Sequence, residues 1–261
     1  MVMCTMIDPN IDPDLNYFDH TNACSYYSEA EFITCLKDSK GLSIIHFNCR
    51  SLRANLEYIK DILHELSAAV VFDVIGLSET WLKDNICLDE FQMDGFTLYT
   101  QNRTNKGGGG VALYVCNKYK QIRLEPLCSE VENCMETITV QIYFKNNVRI
   151  NFGCVYRAPN TNVQVFNDNI GKYLAEISKN TTFVCGDFNI DMLQCDCNND
   201  FKCFENQLYS VGMYPLISKP TRITRTTATL LDNIYTSEVS AIITSDILTS
   251  DITDHLPVFQ I

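Results

Sequence analysis

The sequence predicts an α/β protein in which two sheets of mostly antiparallel strands pack face to face with helices outside. Three observations lead there. The chain has 261 residues and 46% hydrophobic content, enough to bury a substantial core. Its apolar runs of strand length fall into two clusters, and each cluster contains a segment of helical periodicity. No internal repeat is visible in the sequence.

Residues 1–40 are polar and rich in Asn, Asp and Pro, which predicts a flexible N-terminal extension ahead of one domain over 41–261. From Leu42, "LSIIHFN" reads as a strand, after which Leu52, Leu56, Ile59, Leu63 and Leu66 recur at helical spacing. "FDVIGLSET" is an apolar run ending in polar residues, as in a buried strand that reaches a loop. Four more strands are expected at "FTLYT", "GVALYV", "ETITVQIYF" and "VRINFGCVY", the last two joined by "KNN" as a hairpin turn. A helix is expected over 163–177, with Val163, Phe166, Ile170, Leu174 and Ile177 on one face. "TTFVCGDFN" again reads as a strand ending in polar groups, and a helix near 200–211 leads to "LLDNIYT", "AIITSDILT" and "LPVFQ".

The N-terminus has no basic segment followed by an apolar one, so no secretory signal is expected, and "AAVVFDVIGL" is too short to span a membrane. The 13 cysteines sit mostly singly in apolar runs, as Cys116, Cys154 and Cys185 do, which reads as reduced thiols in an intracellular protein. Cys195, Cys197 and Cys203 crowd together, but their spacing fits no standard zinc site and no histidine is near; a thiol-rich loop is the plainer reading. The net charge of −12 argues against nonspecific nucleic-acid binding. Residues 1–40 carry −5 of it, so the expected domain remains acidic, and acidic clusters bind divalent cations that themselves attract phosphate.

Polar residues recur where apolar runs end: Asn48, Glu79, Tyr156 and Arg157, Asp187 and Asn189, Asp232, and Asp254 with His255. A sandwich could deliver several of them to one rim, although each alone has a bland reading as a turn, a cap or an edge-strand polar group. "GGGG" at 107–110 lacks the Lys-Ser/Thr ending of a phosphate loop and reads as a tight entry to "VALYV". "KPTRITRTTATLLD" gathers Lys219, Arg222 and Arg225 as either an exposed hairpin or a loop that lies in a DNA minor groove.

Taken in order, "NCRSL", "GLSETWL", "GGGVALYV", "VYRAP", "GDFNID", "LLDNIYT" and "SDITDHLPVF" resemble the endonuclease/exonuclease/phosphatase superfamily. The resemblance runs from about Ile44 to Phe259 and is strongest to the apurinic-type endonuclease domain of non-LTR (LINE-type) retrotransposons. It implies a four-layered α/β sandwich of the DNase I type and Mg²⁺-dependent hydrolysis of a phosphodiester, with Mn²⁺ as a possible substitute. Glu79, with Asn48 and Asp254, would serve the metal; Asp187 would deprotonate water; Asn189 would fix water or phosphate. His255 would donate to a nonbridging oxygen, Asp232 would orient its ring, and Tyr156 would support the phosphate or leaving group. Arg157, Arg222, Arg225 and Thr253 would contact DNA or phosphate.

Two departures stand out. Thr253 replaces the serine common before Asp-His, which keeps a hydroxyl, and Asn48 is followed by Cys49 and Arg50 rather than by the acid of the repair enzymes. The expected activity is nicking of double-stranded DNA by a monomer in the nucleus, leaving a 3′ hydroxyl for a reverse transcriptase domain beyond Ile261. A phosphatase of phosphoinositides or other small phosphoesters, and a noncatalytic binding relic, are the alternatives.

Overall fold

The computed structural model describes residues 24–37, 39–104, 107–194, 199–238, 240, 242 and 244–261. The chain opens with β1 (Tyr26–Tyr27), α1 (Glu29–Leu36), β2 (Ile44–Asn48), α2 (Leu52–Leu66) and β3 (Val74–Ser78). Then come β4 (Phe96–Gln101), β5 (Val111–Cys116), β6 (Lys120–Arg123), β7 (Ser129–Val131), β8 (Met135–Tyr143) and β9 (Arg149–Arg157). The second half holds α3 (Val163–Ile177), β10 (Thr181–Asp187), α4 (Asn199–Ser210), β11 (Tyr214–Pro215), β12 (Arg222–Ile223) and β13 (Ala228–Thr229). It closes with β14 (Asp232–Thr236), β15 (Ser245–Leu248) and β16 (Val258–Gln260).

Two large sheets form the centre, one ordered β1-β15-β16-β2-β3-β5-β4 and the other β11-β14-β10-β9-β8-β6, with β7 also on β8. Most neighbours are antiparallel; β1/β15, β2/β3 and β9/β10 are parallel. The expected sandwich and the hairpin at Lys145–Asn147 are both present.

Alternation along the strands makes the layers. In the first sheet Ile44, Val74, Val111, Leu113 and Val115 pack inward, in one core with Ile138, Val140, Phe152 and Cys154 of the second sheet. Their neighbours Ile45, Phe47, Ile75, Leu77 and Tyr114 point outward and are covered by Leu52, Leu56, Ile59 and Leu66 of α2. Helix α2 starts at Ser51, whose hydroxyl accepts from the Ala54 amide, and α3 starts at Asn162, whose side chain accepts from two amides of its first turn. Phe166, Ile170, Leu174 and Ile177 of α3 and Phe204 and Leu208 of α4 cover the second sheet.

The expected extension is shorter than 40 residues. Residues 24–36 belong to the domain: β1 extends the first sheet beside β15, and α1, closed by a Ser28–Glu31 capping box, buries Phe32 and Leu36. The Phe32 ring meets Phe259 at 4.9 Å and Phe72 at 5.9 Å. Two apolar contacts per eight-residue helix leave little periodicity in a polar tract, and the partners lie far away in sequence. Residues 1–23, Cys195 and Cys197 lie outside the described residues; Cys203 is a free thiol on α4. Among the described residues, no helix is long and apolar enough to cross a membrane.

Because Phe32 is fully buried against two other rings, Phe32→Ala should lower stability by about 3–5 kcal/mol in urea unfolding. The exposed Tyr58→Ala should stay within about 0.5 kcal/mol of the parent. Equal, small effects would mean that α1 is not part of the folded unit.

Candidate active site

The register of the second sheet sets four polar side chains abreast at one edge of the inner face. Asp187 stands opposite Asp232 on one side and Tyr156 on the other, and Tyr156 stands opposite Glu136. The row runs Asp232, Asp187, Tyr156, Glu136, contributed by β14, β10, β9 and β8. Gly186 is required for it: a Cβ there would lie 1.9 Å from the Val155 carbonyl oxygen, so any other residue would push β10 off β9.

The first sheet meets this row with the ends of β2 and β3. Asn48 donates its amide hydrogens to Glu79 Oε1 at 3.0 Å and to Asp187 Oδ2 at 2.9 Å, joining the sheets through one side chain. Asn189 donates to Asp187 from its backbone N–H at 3.0 Å and its side chain at 3.2 Å. Arg50, Ser51, Glu79, Trp81 and Asn189 all have positive φ, so the loops leaving β2, β3 and β10 are strained where they carry these groups.

At the other end of the row, His255 Nδ1 lies 2.8 Å from Asp232 Oδ2, and Thr221 Oγ1 donates to the same oxygen at 2.8 Å. Burial works against the imidazolium, but the Asp232 carboxylate beside it wins and raises His255 to about 9. Burial alone would raise Asp232, yet the His255 charge and hydrogen bond outweigh it and hold the carboxyl below its usual value. Asp187 has no cation of its own and is pushed up by burial first and by the Asp232 charge next. The Tyr156 phenol is raised by burial and by the Glu79 charge, so it remains a hydrogen-bond donor.

Several expected residues therefore converge: Asn48, Glu79, Asp187 and Asn189 form one connected set, Asp232 and His255 adjoin it, and Tyr156 is next to Asp187 in the sheet. Others have different work. Arg157 is buried and donates to the Asn189 and Thr161 carbonyls at 2.7 and 3.1 Å, so it braces two loops of the site instead of facing a phosphate. Thr253 directs its one proton to the Asn48 and His255 carbonyls, leaving none for a phosphate. Asp254 is held by guanidinium groups, with Oδ1 2.6 Å from Arg50 in a charge contact lacking hydrogen-bond geometry and Oδ2 2.8 Å from Arg222. It orients arginines at the rim and is not free to take a metal. Arg222 also bridges the backbone of His255, while Arg225 is exposed in the turn of the β12–β13 hairpin.

A hard divalent cation fits the donor set. Glu79 and Asp187 share one amide, and among the described residues neither pairs with Lys or Arg, so the site has more negative charge than it balances. Asp187, Asp232 and His255 also present ligand atoms within 4.8 Å of one another. That trio suits a cation less well, because Asp232 and His255 are already joined and the imidazole is protonated. Asn48 is oriented as a donor, its Oδ1 accepting from the Arg50 amide at 3.3 Å, so ligation through that oxygen requires a flip of the amide.

Sequence reading missed three members, Arg103, Glu136 and His46. Arg103 is buried and makes a two-point contact with Glu136, at 2.7 and 3.1 Å, and its guanidinium lies 5.5 Å over the Tyr156 ring. Thr221 fixes Asp232, and His46 is buried with Nδ1 3.9 Å from Asp232 Oδ1. Burial lowers His46 to about 4, so it is neutral there. The available signal was an ionisable residue at an inward position of an apolar strand, as in "METITV" and "IIHFN".

The fold and this rim are those of a hydrolytic nuclease or phosphoesterase. Residues 45–255 match the Endonuclease/Exonuclease/phosphatase family, and the chain belongs to it. Among solved structures it is similar to the endonuclease domain of TRAS1, a telomere-specific non-LTR retrotransposon, at 16% identity and TM-score 0.65, covering 84% of this chain and 97% of that one. It is similar to the AP endonuclease LMAP from Leishmania major at 15% identity and TM-score 0.68, covering 87% and 89%. It is also similar to the 3′ phosphatase NExo from Neisseria bound to a product DNA hairpin, at 16% identity and TM-score 0.62, covering 85% and 99%. No curated protein matches the chain.

The raised His255 gives stability a pH dependence. Its contribution is complete below its usual value of 6.5 and is lost as pH rises through about 9. In EDTA, urea unfolding should show a loss on the order of 3 kcal/mol across that window. Asp232→Asn should flatten the slope; an unchanged slope would assign the pH dependence to other groups.

Proposed function

We propose that the chain is a divalent-metal-dependent DNA endonuclease of the non-LTR retrotransposon type. It nicks double-stranded DNA to leave a 3′ hydroxyl that primes a reverse transcriptase domain of a longer polyprotein, which places its work in the nucleus. The observation that supports this most directly is the joining of Glu79, Asn48 and Asp187 across the two sheets beside the Asp232–His255 pair. The wording "LSETWL", "YRAPN" and "GDFNIDM" and the likeness to the TRAS1 domain favour the retrotransposon branch.

The reaction needs a nucleophile made from water and stabilisation of an oxyanion as the phosphorus–oxygen bond breaks. Glu79, with Asn48 after its amide turns, would hold Mg²⁺ or Mn²⁺, and the bound cation supplies positive charge to the phosphate. Asp187 takes the proton of the attacking water, a role suited to a carboxylate whose proton affinity is raised. Asn189 holds Asp187 in position. His255, protonated and fixed through Nδ1 by Asp232, offers its other ring nitrogen to a nonbridging oxygen. Tyr156, a protonated phenol steadied by Arg103, donates to the phosphate or the leaving oxygen. Arg222 and Arg225 meet flanking phosphates or the minor groove.

The acidic net charge of −12 favours a second reading, hydrolysis of a small phosphoester such as a phosphoinositide. Supercoiled plasmid separates the two: with Mg²⁺ the endonuclease yields nicked circles, and EDTA abolishes them. His255→Ala and Asp187→Asn should each reduce nicking by about 10²–10⁴-fold. An abasic-site duplex in parallel tests a repair role. Phosphate release from small esters without nicking would establish the phosphatase, and normal metal binding with no cleavage of either substrate would leave only a binding relic.

A further inference from the structure

Beyond the residues that would handle the scissile phosphate, a groove of about 620 Å³ runs alongside Glu79, lined by Trp81, Gly108, Tyr156, Pro159 and Asn160 among others. Its only charged lining among the described residues is Glu79 and Arg103, and Arg103 is committed to Glu136. The wall is otherwise neutral, flat or amide-bearing. Guanidinium groups lie elsewhere on the rim, where Asp254 holds Arg50 and Arg222 beside His255. Phosphates therefore have cations on one part of the rim, and the groove is chemically suited to an uncharged planar group that can stack and hydrogen-bond.

Trp81, the one tryptophan of the chain, is 45% exposed on this groove yet fixed in place. Its backbone has φ of 56° and its N–H bonds the Gly109 carbonyl at 2.9 Å. Its indole Nε1 donates to Glu79 Oε2 at 3.2 Å. An exposed ring tied at both ends, on a strained backbone, is preorganised. Beside the ring the glycine run packs closely: a Cβ on Gly108 would come into ordinary contact with Trp81 Nε1 at 3.7 Å, and one on Gly109 would strike the Arg103 guanidinium.

We propose that this groove receives an unstacked nucleobase flanking the scissile phosphate, held face to face by Trp81. This rests on the reading of the chain as a DNA nuclease and assigns that site a base-binding part. Stacking supplies affinity that an acidic protein gains only weakly from phosphates. It also favours substrates in which a base next to the cleavage point is unpaired or easily unstacked.

The lone tryptophan makes the test direct, with EDTA present so that nothing is cleaved. Titration with single-stranded pentathymidylate should quench tryptophan emission, and an abasic backbone of the same length should not. In a displacement assay Trp81→Ala should weaken pentathymidylate binding roughly tenfold, while Trp81→Phe, which keeps a ring but loses the N–H, should retain most of it. Equal binding by all three proteins, with nicking reduced alike in both variants, would overturn the base site and leave Trp81 as a residue that only positions Glu79. Unquenched emission in a protein that nicks plasmid refutes this inference alone. Quenching in a protein that cleaves no phosphodiester refutes the nuclease reading and keeps the base site; neither result occurring refutes both.

Discussion

The structure turns on the burial of three carboxylates in one row at the edge of a sheet. Asp232, Asp187 and Glu136 are all fully buried, where an uncompensated charge is very costly. Each is met differently. Glu136 receives the fork of Arg103, Asp232 receives the His255 imidazolium and the Thr221 hydroxyl, and Asp187 receives only amides. The consequence is a graded set of proton affinities in one crevice, with Asp232 held as the anion and Asp187 drawn toward its neutral form. Asp187, with its raised proton affinity, can then stand beside the His255 imidazolium that Asp232 holds charged, so a proton acceptor and a proton donor share one crevice because their surroundings differ.

The same row explains what the sequence could and could not tell. Strand and helix positions followed from period-2 and period-3.6 patterns, and the polar residues ending apolar runs did mark the rim. Which of those residues face the rim was not legible, because orientation depends on register between strands far apart in the chain. Asp187 and Arg157 each close a strand and both are buried, yet one faces the crevice and the other reaches back to the Asn189 and Thr161 carbonyls. Thr253 looked like a hydroxyl for phosphate and is a brace between Asn48 and His255. Arg103 lies outside every strand in a short polar segment, so nothing local distinguishes it from a solvated arginine until Glu136 is placed beneath it.

The net charge of −12 opposes a phosphate-bearing substrate, while Arg50, Arg222 and the protonated His255 set positive charge locally at the rim. The two are compatible because the total charge counts residues remote from the site, whereas a phosphate within the crevice responds to groups within a Debye length. Arg50 and Arg222 are aimed by one aspartate, so few cations are needed if each is fixed. For the proposed DNA substrate, selectivity would then depend on fit and on stacking more than on attraction between net charges, and an acidic surface would suppress binding to DNA that cannot enter.

The strain of the site shows how its parts depend on one another. Left-handed backbone at Arg50 and Ser51 follows β2, that at Glu79 and Trp81 follows β3, and that at Asn189 follows β10. These conformations persist only where surrounding contacts over-determine them. Here the contacts cross between loops: the Ser51 and Leu52 amides bond the Glu79 and Thr80 carbonyls, and Asn48 bonds side chains from both sheets. The loops after β2 and β3 thus brace each other, and Asn48 ties them to Asp187 of the second sheet, so the constellation depends on the packing of the two sheets. Loosening of the shared core would therefore release the strained loops first, and chemical competence would be lost before the fold itself.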